Sequence, residues 1–281
     1  MRDTLGAMPS RASPWSPWSP WSTCPPQRLR DVTGVLTDID DTLTCDGAIV
    51  PAALAALQRL AEAGLPVIAI TGRPMGWSEP FARAWPLRGI VAENGAVALF
   101  RRGEELCIEY AQDAATREAH RLRLHEAAQA VLREVPHARL ATDSAGRVTD
   151  IAIDHGEHAQ LAQSDIERIV ALLRERGMNA TVSSIHINAW FGEHDKLSGA
   201  RWIVRRLLGR ELDEEAARWV YVGDSTNDQL MFGHFELSVG VANLMRFEAQ
   251  LLTWPAYLTL GDRGAGFAEV ADALIAARRP G

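Results

Sequence analysis

Cysteine is scarce in this sequence. The 281 residues include three, Cys24, Cys45 and Cys107, far apart and without a CxxC pair, so they spell neither a zinc site nor a dithiol couple. Reduced thiols are the expectation. Long apolar runs are missing as well. Nothing approaches the roughly 18 to 20 residues that cross a bilayer, and the N-terminal segment lacks the apolar stretch of a secretory signal. The expected location is therefore cytoplasmic, with no membrane contact. A basic excess is also absent. With 29 basic and 36 acidic side chains the formal charge is −7, which repels phosphate polymers and anionic lipid, so nucleic acid is not an expected partner. The eight histidines show no metal-ligand spacing; His155, His186 and His194 fall near predicted strand ends and read as polar surface or core residues. A monomer is the default.

What is present is ample core material. The composition is 47% hydrophobic and 23% charged, and the length suits one elaborated domain or two coupled ones. The first 30 residues stand apart: they hold six prolines and the repeat SPWSPWSPWS, with Trp15, Trp18 and Trp21. Proline at every third position removes backbone donors and favours a polyproline II conformation. Residues 1–30 are expected to form a disordered tail outside the fold, either an interaction element using its indoles or a dispensable extension.

From Asp31 the pattern alternates between apolar strands and amphipathic helices, which argues for a parallel sheet with crossover helices. VTGVLTDI is a strand, Pro51 opens a helix that closes at Gly64, Val67 to Ile70 is the next strand, and GIVA precedes Glu93-Asn94-Gly95. The middle reads differently, with two hairpins, two long helices and a further strand, an α+β unit. After Ile185 to Phe191 the alternation resumes with a helix from Lys196, the strand WVYVG, a helix near Gln229, the strand LSVGV and a closing helix. The expected fold is α/β, a Rossmann-like parallel-sheet core (31–98 and 188–281) with an inserted α+β cap (99–187).

Open α/β sheets bind ligands at the carboxyl ends of their strands. Here those ends carry Asp38-Ile39-Asp40-Asp41-Thr42, Thr71-Gly72-Arg73 and Gly223-Asp224-Ser225-Thr226-Asn227-Asp228, with Lys196 opening a helix between the second and third. Carboxylates converging this closely raise one another's pKa unless a cation neutralises them. Mg2+, which takes one or two carboxylates plus a phosphate, fits this set. Lys196 as a point charge, the Thr71 hydroxyl and the Gly72 backbone N–H suit a phosphoryl group.

In order and register these four motifs resemble the haloacid dehalogenase superfamily of phosphatases. The insert between the threonine and lysine motifs, together with Glu93-Asn94-Gly95, is similar to the Cof-type and sucrose-phosphatase-like branch with a large α/β cap. The resemblance runs from Val32 to Ala277. It implies that Asp38 is the nucleophile forming an aspartyl phosphate and that Asp40 is the general acid and base. It further implies that Mg2+ is held by Asp38, the Asp40 backbone carbonyl and Asp224. Thr71, Gly72, Lys196 and Asn227 are the implied phosphoryl binders, and Asp228 orients Lys196 or a metal-bound water. Asn94, Asn188 and Trp190 are the candidate substrate contacts, His186, Asn188 and Trp190 alternating so as to present one face to the cleft. Asp41 departs from the glycine that many relatives have there. The substrate expected is a small phosphorylated metabolite such as a sugar phosphate. Two other readings remain open: a phosphotransferase resembling phosphomannomutases, and a relict-site scaffold protein that uses the SPW tail.

Overall fold

The computed structural model describes residues 18–278. Among these, nine strands form one sheet in the order Ser19–Pro20, Tyr257–Leu258, Leu237–Gly240, Trp219–Gly223, Gly34–Thr37, Val67–Ile70, Gly89–Ala92, Val97–Arg102, Glu105–Tyr110. All pairings are parallel as far as Gly89–Ala92. The final two are antiparallel. The central strands are buried along their whole length, as parallel strands covered on both faces must be. Successive residues serve opposite layers. Val35 packs with Leu57, Leu60, Phe267 and Leu274 of the helices Pro51–Glu62 and Arg263–Arg278. Leu36 packs instead with Leu197, Ile203 and Val204 of the helix Lys196–Leu208 and with Phe235.

Gly34–Thr37 lies between Trp219–Gly223 and Val67–Ile70, although both follow it in the chain. The strand order reverses at that point, which opens a crevice beyond the carboxyl ends. Asp38, Thr71 and Asp224 each follow one of these three strands directly.

A second sheet, antiparallel, has the order Asn179–Val182, His186–Trp190, Asp150–Asp154, Arg139–Leu140. The helices Ala114–Glu134 and Gln163–Glu175 supply Leu124, Val131, Ile166, Ile169 and Leu173, which pack with Ile153, Ile187 and Ala189 of the strands. Two boundaries read from sequence need correction. The hairpin Val97–Arg102/Glu105–Tyr110, assigned to the cap, extends the core sheet through pairing with Gly89–Ala92. Antiparallel hairpins occur as sheet edges in α/β domains too, so the pattern alone could not assign it. His186–Trp190, placed at the return to the core, pairs on both sides with cap strands.

The expected tail of residues 1–30 is corrected over its described part. Residues 18–30 join the fold, and Trp15 lies outside the described residues. Ser19–Pro20 pairs with Tyr257–Leu258 at the sheet edge, where proline's missing donor is tolerated. Trp21 is only 3% exposed and meets the Tyr257 ring edge-on at 5.5 Å. Pro26 then opens a short helix that buries Leu29. Proline here starts elements instead of keeping the segment out. Trp21→Ala is accordingly expected to cost about 3 kcal/mol in urea unfolding; an unchanged midpoint and slope would mean that the segment is not part of the folded unit.

Candidate active site

Lys196 is the only lysine in the chain. As the first residue of its helix it opposes the macrodipole, so helix stability does not explain its position. The helix start is instead fixed by Asp195 and Ser198: the Ser198 N–H donates to Asp195 Oδ1 at 2.7 Å and the Asp195 N–H to Ser198 Oγ at 2.8 Å, a capping box. The turn Glu93-Asn94-Gly95 presses on this start. Gly95 has φ 110°, and a Cβ there would lie 2.0 Å from the Asp195 carbonyl oxygen, so no other residue fits. From this anchored position Lys196 Nζ donates to Asp38 Oδ1 and Asp228 Oδ1, both at 2.7 Å. The ammonium is 3% exposed.

Asp228 is fully engaged. Its Oδ1 also accepts from the Tyr221 hydroxyl, and its Oδ2 accepts from the Asp224 and Ser225 N–H groups at 3.0 and 3.1 Å. It therefore shapes the Asp224 loop and orients Lys196. Asp38, Asp224 and Asp228 bring one carboxylate oxygen each within 4.8 Å of one another. Asp224 Oδ2 accepts from Asn243 and Arg246, each at 3.2 Å, whereas its Oδ1 is buried without a hydrogen-bond partner. A bare buried carboxylate oxygen is costly, and its position beside Asp38 fits a hard divalent cation with oxygen ligands. Burial pushes the Asp38 carboxyl up to about 8 against the pull of Lys196, with Asp228 adding to the rise. Asp224 is pushed well above its usual range by burial, then by Asp38 and Asp228.

The other candidate residues split into groups. Thr71 is fully buried, and its hydroxyl accepts from the Arg73 N–H at 3.0 Å. The Gly72 carbonyl accepts from Asn188 at 3.1 Å and Arg147 at 2.9 Å, so cap residues touch the threonine loop. Asn188 and Asn94 both donate to Asp150, at 3.3 and 3.5 Å. Trp190 is buried, with its indole N–H on the His194 carbonyl at 2.8 Å. It lines a cavity of about 390 Å³ together with Asn94, Lys196, Asn227, Thr181 and Arg174.

Asp40 instead lines a second cavity of about 260 Å³ on the Arg73 and Glu157 side. Arg73 Nε grips Asp40 at 3.0 and 3.1 Å, and the guanidinium reaches Asp143 at 3.1 Å and Glu157 at 2.7 Å in the cap. His186, on the strand face expected to look into the cleft, completes this set through Glu157 at 2.9 Å. Sequence reasoning did not single out Arg73, Arg147, Asp143, Asp150, Glu157, Asn243 or Arg246. Their contacts are tertiary, and only Arg73 sits inside a motif.

Residues 35–132 match the family model for haloacid dehalogenase-like hydrolases. That span takes in Asp38, Asp40 and Thr71. Over that span the chain is similar to haloacid dehalogenase-like hydrolases. No curated protein matches the sequence as a relative. Among solved structures the same fold occurs in protein 0175 of Thermoplasma acidophilum, with TM-score 0.67 and 15% identity over 86% of this chain and 98% of that one. It occurs in the sucrose-phosphatase of Synechocystis with bound sucrose and phosphate, with TM-score 0.62 and 15% identity over 87% and 98%. A Bacteroides thetaiotaomicron phosphatase of the haloalkanoate superfamily gives TM-score 0.58 and 14% identity over 94% and 98%. At these identities the likeness is one of fold.

With carboxylates buried in this way, pH and cation binding should be linked. The folded-state pKa of Asp38 is raised from 3.8 to about 8. Its contribution in the cation-free protein is therefore full below the unfolded value and lost as pH rises through the folded one. A divalent cation taken up between Asp38 and Asp224 would compete with protons for the same oxygens. The rise in Tm caused by Mg2+ is expected to be small near about pH 5 and larger near about pH 8.5; a rise that stays flat or shrinks with pH in thermal scans contradicts this.

Proposed function

We propose that the protein is a Mg2+-dependent phosphomonoester hydrolase acting on a small phosphorylated metabolite, with Asp38 as nucleophile. The observation that carries this reading is the pairing of Lys196 with Asp38 at 2.7 Å beside the partner-free Asp224 oxygen. Three close carboxylates meet one buried ammonium, that of Lys196, and one partly exposed guanidinium, that of Arg246 on Asp224 Oδ2, which leaves Asp224 Oδ1 bare. Such a site has unmet demand for a cation and, once neutralised, for a dianion.

Asp38 Oδ would attack phosphorus as the bond from phosphorus to the leaving oxygen breaks, and the protonated Asp40 carboxyl would hand its proton to that oxygen. Water would then attack the aspartyl phosphate, Asp40 would take the proton, and Asp38 and inorganic phosphate would be released. Burial raises the Asp40 carboxyl above its usual range against the pull of Arg73, which suits a group that must alternate between the two states. Lys196, Thr71, the Gly72 N–H and Asn227 would hold the phosphoryl oxygens. Asp38, Asp224 and the Asp40 carbonyl would hold Mg2+, which when bound offsets the repulsion between carboxylate and phosphate. Trp190, with Asn94, Asn227 and Thr181 around it, gives the larger cavity the apolar wall and polar rim that a sugar phosphate would use.

A panel of phosphorylated metabolites assayed with Mg2+ for released phosphate tests the proposal. Turnover should fall at least about a thousandfold in Asp38→Asn. Isomerised substrate without phosphate release would favour a phosphotransferase, and turnover that survives Asp38→Asn contradicts the nucleophile.

A further inference from the structure

The acidic loop holds a carboxylate that this chemistry leaves unused. Asp41 has φ 53°, a left-handed conformation that aspartate tolerates better than most residues. Its Oδ1 accepts from Arg263 Nε at 2.8 Å and its Oδ2 from Arg246 Nη2 at 3.1 Å. The same Arg246 Nη2 donates to Asp224 Oδ2 at 3.2 Å. Asn243 closes the ring: its Nδ2 donates to the Asp41 carbonyl at 3.0 Å and to Asp224 Oδ2 at 3.2 Å, while its Oδ1 accepts from the Arg263 N–H at 2.8 Å. One oxygen of Asp224 is thus gripped by two donors, and the other, Oδ1, is left buried and bare.

This grip has an electrostatic cost. A guanidinium against the carboxylate that is to hold a cation repels that cation; water screens the Arg246 side, which is 44% exposed, but not the Asp224 side, which is 1% exposed. Asp41 is the carboxylate that faces the same guanidinium from the other side, with its side chain 13% exposed.

We propose that Asp41 sets the affinity of the divalent-cation site. It holds Arg246 in an ion pair, so that Arg246 orients Asp224 as a hydrogen-bond donor without contesting its ligand oxygen. Remove the Asp41 charge, and the Arg246 guanidinium is left with Asp224 as its one carboxylate partner, offset by water alone. Asp41 is a positioning residue that acts on the site through Arg246. The inference rests on the reading above that Asp38 and Asp224 hold Mg2+.

The test is calorimetric titration of Mg2+ into the full chain, freed of phosphate and divalent ions, without any turnover readout. Glycine accepts the Asp41 backbone conformation, so Asp41→Gly removes the charge and keeps the turn. It is expected to weaken Mg2+ binding about fivefold or more. Asp41→Asn, which retains an acceptor and tolerates the same dihedrals, should weaken it in the same direction and serves if glycine loosens the loop. Adding Arg246→Gln to Asp41→Gly should bring affinity back to within about twofold of the unsubstituted chain. Unchanged affinity in both Asp41 variants, or a double variant as weak as Asp41→Gly, overturns the inference. Failure of the unsubstituted chain to take up Mg2+ would overturn the cation site itself, an outcome visible before any variant is compared.

Discussion

The structure turns on one almost fully buried ammonium placed among carboxylates. Lys196 is the sole lysine, and burial acts against its charge, yet Asp228 and Asp38 outweigh that and hold it protonated. Desolvating such ions is expensive, and only close geometry with further hydrogen bonds recovers the cost. Those requirements explain the local architecture. The capping box and the Gly95 contact fix where the helix begins. Tyr221 and the Asp224 and Ser225 N–H groups saturate Asp228, and the switch point of the sheet brings Asp38 and Asp224 onto adjacent strand ends.

A second charged layer joins cap to core. Arg73 bridges Asp40 to Asp143 and Glu157, and Arg147 bridges Asp143 and Asp150 to the Gly72 carbonyl. Two buried arginines thus meet four carboxylates. The His186 hydrogen bond, with Arg73 adding, holds the Glu157 carboxyl down to about 2, whereas burial lifts Asp150 to about 7 despite Arg147. A seam made of ion pairs differs from an apolar one. Its Coulomb gain is largely offset by desolvation, so re-solvating it on opening is less costly than exposing the same area of hydrocarbon. Under the proposed function, that property would let the cap part from the core to admit substrate.

The candidate site was legible in the sequence because its residues sit in short motifs. Asp38, Thr71, Lys196 and Asp224 each sit within a residue of a strand or helix end, and alternating apolar runs located those ends. Positions whose meaning depends on partners distant in sequence were not legible. Arg73 follows Thr71-Gly72, but its partners Asp143 and Glu157 lie 70 and 84 residues on. The hairpin after Gly95 was misassigned because a hairpin carries no mark of the sheet it will join. The tail was misread because proline argues against sheet interiors and says little about edges, where Pro20 sits. One unused signal was available: a single lysine among 29 basic residues marks the position where arginine's fork does not serve.

The central claim is that Asp38 becomes phosphorylated, and chemical trapping tests it most directly. Turnover with a hydrolysed substrate and Mg2+, quenched with borohydride, reduces an acyl phosphate on aspartate to homoserine, which peptide mass spectrometry locates. The account predicts homoserine at position 38 alone, dependent on substrate. Homoserine at another aspartate, or its absence under conditions in which phosphate is being released, would contradict it.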